Sequence, residues 1–208
     1  MRTVCLTLSR PFESVWRPGL VRSEERARAH FAERGVEVQF FYGIDARTGV
    51  VTTKPYVRNG AEEFAPPRRI CNMLSHRAIW AALLLLSDDP TLILEDDAEF
   101  PDDWRTRFTR ALEDAGRWDM LFIGSCCCAD KPKALIQGEV FDVRYPLCTQ
   151  AYIVRGHKVL HTLIERADDA GCHAQADLVL YFDIFPHLRV LTVLPRIVGQ
   201  VDLPELPE

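Results

Sequence analysis

A chain of 208 residues with 48% hydrophobic and 26% charged side chains is long enough for one well-cored soluble domain and too apolar to stay disordered. A formal net charge of -5, with no Lys/Arg stripe interleaved with aromatics, excludes the electrostatic footprint of a nucleic-acid binder. The N-terminal apolar run is too short for a signal peptide. The longest later one, Ala78 to Leu86, is far below a membrane span, so the protein is expected to be cytoplasmic or peripheral at a membrane, with no transmembrane segment.

In chain order, Thr3 to Leu8 reads as a first strand, followed by a loop through Pro11 and Pro18 that is placed to touch a nucleotide edge. Ser23 then caps a helix with Glu24 and Glu25 in its first turn, and Gly35 ends it. Val36 to Phe41 follows as a second strand, parallel to the first by the strand-helix-strand order, and it exits at Gly43-Ile44-Asp45-Ala46. Residues 47–69 lose all periodicity and carry several prolines and glycines, which marks them as a flap bordering a site. Cys71 to Ser87 has the composition of a helix buried against a sheet, with Ser75 and His76 near its first turns.

The stretch Thr91 to Phe100, TLILEDDAEF, runs an apolar strand straight into Glu95, Asp96 and Asp97. Ligands of open α/β sheets bind outside the carboxyl ends of the strands, and adjacent carboxylates there repel unless a cation or a proton relieves them. Magnesium or manganese suits such oxygen donors. The same acids, with Asp102 and Asp103, serve equally well as caps for the next helix, which runs from Asp102 to Ala115.

Trp118 to Gly124 reads as another strand with Asp119 at its start, and Lys131 to Tyr145 as a weakly patterned β-excursion. Thr149 to Val154 is a short strand, Gly156 to Arg166 a helix, and a further helical stretch carries Asp177 and Asp183. Arg189 to Leu194 is the last strand, and residues 195–208 read as a coil tail. The seven cysteines are odd in number and lack repeated CxxC spacing, so they read as reduced thiols rather than as a disulfide framework or zinc ribbon. The cluster Cys126, Cys127, Cys128 has no assigned role. His157 and His161 share a helix face without a following acid, the pattern of surface or packing residues. No repeat or linker divides residues 1–208, which are read as a single domain.

These segments, taken together, resemble glycosyltransferase family 25, which includes bacterial lipooligosaccharide and collagen galactosyltransferases. The resemblance rests on the Arg26-bearing helix leading to Gly43-Ile44-Asp45-Ala46 and on Cys71-Asn72-Met73-Leu74-Ser75-His76 with Trp80. It continues through Ile93-Leu94-Glu95-Asp96-Asp97, Trp118-Asp119 with Gly124, Thr149-Gln150-Ala151-Tyr152, Asp177, and Pro195 to Gln200. The chain departs from the family pattern at Ile70, where a glycine is usual, and at Gln150, where a histidine is.

The resemblance implies an α/β GT-A-type (Rossmann-like) fold, a mostly parallel sheet flanked by helices. It also implies a metal-dependent hexosyltransferase that moves galactose or glucose from a UDP-sugar to a glycan or hydroxylated acceptor, with inversion, as in lipopolysaccharide biosynthesis. Mn²⁺ or Mg²⁺ would be held through Asp97 and Glu95 in a DxD-like motif, with Glu95 or Asp96 on the ribose hydroxyls. Arg26, Asp45, Ser75 and His76 are the remaining donor-contact candidates, with capping as the alternative for the last three. Inversion calls for a carboxylate base, Asp177 first and Asp119 second. Rival readings are a catalytically degenerate nucleotide-sugar or partner-binding protein, and a metal-dependent phosphoester hydrolase built on the same acids.

Overall fold

The structure, a computed structural model, describes residues 1–13, 19–48, 56–58, 61–86, 88–125, 127–128, 134–142, 146–171 and 176–201. Eight strands form its central sheet. They are β1 (Arg2–Thr7), β2 (Gln39–Tyr42), β3 (Thr91–Glu95), β4 (Met120–Phe122), β5 (Ala134–Gln137), β6 (Val140–Asp142), β7 (Ala151–Val154) and β8 (Val190–Val193). Their order across the sheet is β5-β6-β8-β4-β7-β3-β1-β2.

β1 pairs in parallel with β2 and β3, and β4 with β8. β7 runs antiparallel between β3 and β4, and β6 antiparallel to both β5 and β8. The α/β sheet expected from the sequence is present, but it is mixed rather than mostly parallel. A parallel neighbour needs a long crossover, whereas β7 and the β5–β6 hairpin are reached with no helix among the described residues between them and β4, and they pair antiparallel. That hairpin is the excursion expected between Lys131 and Tyr145.

Among the described residues five helices cover the sheet: α1 (Glu24–Glu33), α2 (Pro67–Leu83), α3 (Trp104–Ala115), α4 (Gly156–Asp169) and α5 (Ala176–Val179), the last continued by a π turn over Leu180–Ile184. α1 starts where expected, with Ser23 Oγ accepting from Arg26 N at 3.2 Å, and ends at Gly35, whose φ of 63° suits a residue without Cβ. α2 begins earlier than the apolar composition suggested, because Pro67 fits a first helical turn that lacks N–H partners in any case. β3 is buried on both faces, which explains its unbroken apolar run. Ile93 packs with Trp80, Tyr152 and Leu163 beneath α2 and α4, while Leu92 and Leu94 pack with Phe31 and Phe108 beneath α1 and α3.

Two departures concern the segments beside the site. The tail is not all coil: Gly199–Gln200 pairs antiparallel with Ala98–Glu99, the chain just after the acidic triplet. Within the expected flap, Tyr56–Arg58 and Ala61–Glu63 form a two-stranded ribbon, and 49–55 and 59–60 lie outside the described residues. Contrary to the reading of reduced thiols, Cys148 is disulfide-bonded, whereas Cys5 and Cys71 are free and buried. No helix among the described residues is long and apolar enough to cross a membrane.

Candidate functional site

β1 and β3 run in parallel and end side by side, so Thr7 and Leu8 emerge next to Glu95 and Asp96 at one lip of the sheet. A cavity of about 540 Å³ opens at this lip. Its walls come from the ends of these strands, from Arg22, from the β2 exit at Ile44 to Arg47, from the first turns of α2 (Arg68, Arg69, Asn72, Ser75), from Cys148 and Thr149, and from Asp177 and Gln200. The expectation that ligands are received at the carboxyl ends of the strands thus has a cavity to match it.

The β2 exit lies close against α2. A Cβ on Gly43 would come within 2.8 Å of both Leu6 Cδ1 and Ser75 Oγ. Ile44 N donates to Ser75 Oγ at 2.8 Å, and Ser75 in turn donates to Cys71 O at 2.6 Å. Asp45 accepts from Arg47 N at 2.9 Å and ion-pairs with the same guanidinium, which holds its carboxyl below the usual range. Arg47 also donates to the carbonyls of Arg10 and Pro11, so the wall is tied to the loop after β1.

The three acids have three different surroundings. Glu95 Oε1 accepts from Thr149 Oγ1 at 2.5 Å and Asn72 Nδ2 at 3.3 Å, and lies 3.1 Å from His76 Nε2. Behind it, His76 Nδ1 lies 2.8 Å from the Tyr152 hydroxyl, which accepts from Trp80 Nε1 at 3.0 Å. Burial pushes the Glu95 carboxyl up, but the hydrogen bond and charge of His76, with Arg22 and Thr149, outweigh it and hold Glu95 at about 2.

Asp96 has both oxygens taken. Oδ1 accepts from Arg22 Nε at 2.8 Å and also from Arg22 Nη2, while Oδ2 accepts from Thr7 Oγ1 at 2.8 Å. Asp97 Oδ2 meets Arg22 Nη1 at 2.9 Å and accepts from Gln200 Nε2 at 2.6 Å, and its Oδ1 is buried without a partner among the described residues. Burial pushes Asp97 up to about 7, against the pull of Arg22.

The positions of the sequence-derived candidates divide accordingly. Asp45, Ser75, Glu95, Asp96 and Asp177 all line the cavity. Burial raises the Asp177 carboxyl above its ordinary value, and it faces the same space as Glu95. Four candidates lie elsewhere. His76 is fully buried and orients Glu95 from behind. Asp97 is also fully buried and does not reach the cavity wall. Arg26 offers its backbone N–H to the Ser23 cap and does not line the cavity; the arginine that does is Arg22.

Asp119 precedes β4, which antiparallel pairing through β7 aligns with β3, so Met120 lies level with Thr91. It therefore sits at the opposite end of the strands from Glu95, where it accepts from Arg189 N at 2.8 Å. The residues missed from sequence were Arg22, Thr149 and Gln200. Thr149 and Gln200 stood inside segments already singled out, whereas a single arginine ahead of a helix cap carries no periodic signal.

The arrangement does not fit the divalent cation expected on Asp97 and Glu95. Donors from the protein already occupy both Asp96 oxygens, one Asp97 oxygen and Glu95 Oε1. Among the described residues, no three His, Cys, Asp or Glu side chains converge to ligate one ion. The charge such an ion would neutralise is met by Arg22, only 14% exposed.

The chain is similar to two curated proteins named "Glycosyltransferase 25 family member". One, from Aedes aegypti, is 29% identical over 107 residues, which is 46% of this chain and 18% of the relative. The other, from Anopheles gambiae, is 26% identical over 149 residues, 64% of this chain and 25% of the relative. The matched stretches thus span a quarter or less of those proteins' lengths. No family model matches the chain. Among solved structures, a glycosyltransferase involved in the glycosylation of the major capsid of PBCV-1 shares the fold, with a TM-score of 0.52, 11% identity, and coverage of 96% of this chain and 92% of that one.

Proposed function

We propose that this chain is a glycosyltransferase domain of the family-25 kind, which binds a UDP-hexose, with galactose or glucose as the sugar, in the cavity at the β1–β3 lip and transfers the hexose to a hydroxyl of a glycan or other hydroxylated acceptor. The observation that carries this reading is the cavity itself. It brings Arg68 and Arg69 into the same space as Glu95 and Asp177 at the carboxyl ends of parallel strands, with the charge of Arg69 acting on Asp177. The arginines suit a diphosphate; the acids suit sugar hydroxyls and a proton to be moved.

In this reading Asp177 takes the proton from the acceptor hydroxyl as its oxygen bonds to the anomeric carbon. The bond from that carbon to the UDP oxygen breaks on the opposite face, which inverts the centre. The raised affinity of the buried Asp177 for a proton favours that task. Glu95, fixed by Thr149, Asn72 and His76, is held ionised to accept from donor hydroxyls.

Calorimetric titration with UDP, with and without Mn²⁺, followed by assays of UDP release from UDP-galactose and UDP-glucose, tests the reading. Asp177→Asn is expected to keep UDP binding and to lower turnover by about 10²- to 10⁴-fold, the usual contribution of a positioned base. Failure of UDP and both UDP-hexoses to bind under either condition would defeat it.

A further inference from the structure

The acidic loop after β3 holds a cation that belongs to the chain. Arg22 ends a short ribbon in which Phe12–Glu13 pairs with Val21–Arg22, and its guanidinium also stacks over the Phe12 ring at 5.0 Å. From there it reaches Asp96 through Nε and Nη2 and Asp97 through Nη1. One planar fork thus engages two neighbouring carboxylates, a match that a guanidinium makes and an ammonium does not. With Thr7 on the other Asp96 oxygen and Gln200 on Asp97, the loop's acceptors are filled from within, apart from Asp97 Oδ1.

Arg22 also lines the cavity, so a ligand there meets a guanidinium that already offsets the charge of Asp96 and Asp97. Arg68 and Arg69, at the start of α2, line the same cavity, and neither makes an ion pair or side-chain hydrogen bond among the described residues.

We propose that Arg22 is the resident cation of the donor site, standing in the acidic loop in place of a divalent metal, so that a nucleoside diphosphate is bound by Arg22, Arg68 and Arg69 without one. This rests on the donor-cavity reading above for its ligand, but the exclusion of metal by Arg22 stands on geometry alone. The fork must leave Asp96 Oδ1 and Asp97 Oδ2 before an ion can ligate through those two oxygens, and that would strand a buried guanidinium beside the ion that displaced it.

The deciding experiment is a Mn²⁺ titration followed by the electron paramagnetic resonance signal of the free ion, with no nucleotide present. Wild-type protein is expected to leave the signal unquenched into the millimolar range, and Arg22→Met to gain one site. Arg22→Gln, which keeps a donor for Asp96, is the second variant should the Met form fail to fold, and it too is expected to gain the site. Stoichiometric micromolar uptake by the wild type would overturn the proposal, as would the absence of any gain in a folded variant.

UDP titration adds the second arm. Wild-type affinity is expected to be the same in EDTA as in Mn²⁺, and Arg22→Met in EDTA to bind at least about tenfold more weakly, the effect of losing a charge-assisted hydrogen bond. A metal requirement for UDP binding by the wild type would overturn the proposal. Lack of UDP binding under every condition would instead defeat the donor-site reading, leaving the Mn²⁺ result to judge Arg22.

Discussion

Glu95 shows how much one carboxylate depends on what stands behind it. It meets Thr149, Asn72 and His76 at a single oxygen, and the His76 ring is itself fixed by Tyr152 and Trp80. Its folded value near 2 lies below the ordinary 4.5, so it stabilises the fold above pH 4.5 and loses that contribution as the pH falls through about 2. The displacement corresponds to roughly 3 kcal/mol. Urea melts across this range are therefore expected to show Glu95→Gln less stable than wild type at neutral pH, with the gap closing as acid is added. Asp97 runs the other way, opposing stability as the pH rises from 3.8 towards about 7, so the two proteins are compared at each pH. At this scale the sequence marked the triplet because carboxylates at a strand end stand out, and it marked Asp177 through the family resemblance. It did not mark Arg22, whose contact with Asp96 spans 74 residues and leaves no local trace.

Among the elements, those with a strong internal pattern were legible: β3 by its apolar run, α1 by its cap and terminal glycine, α2 by its buried composition. The direction of β7 was not, because AYIV reads the same whether it pairs parallel or antiparallel, and only the route of the chain decides. The junction of β2 with α2 is a close packing that shapes the cavity. Gly43→Ala would drive a methyl into Leu6 and Ser75 and is expected to cost about 1–3 kcal/mol, as overpacking usually does. Because Ser75 also holds Ile44 N, thermal melts should fall together with UDP affinity, whereas a defect confined to the core would lower the melt alone.

For the molecule as a whole, strand direction separates chemistry from support. All cavity residues lie at the carboxyl ends of β1 and β3 or on segments folded over them, while Asp119 lies at the opposite end, clamping the chain as it enters β8. Asp119→Asn keeps an acceptor for Arg189 N, so turnover should equal that of wild type and stability should drop by less than about 1 kcal/mol, read by paired kinetic and urea measurements. The sequence put Asp119 among the catalytic candidates because a one-dimensional reading gives an acid beside a strand no indication of which end of the sheet it occupies.

The fastening of the acidic loop also bears on the order in which the protein folds. Its hydrogen bonds reach Thr7 across 89 residues, Arg22 across 74 and Gln200 across 103. Closures of such length offset their entropy only after the intervening chain has condensed, so the loop is set late and released early. In native-state hydrogen exchange the Val201 amide, bonded to Asp97 O, should therefore open well before the amides of β3 and β7. A preparation with an intact far-ultraviolet spectrum can still hold an unfinished site.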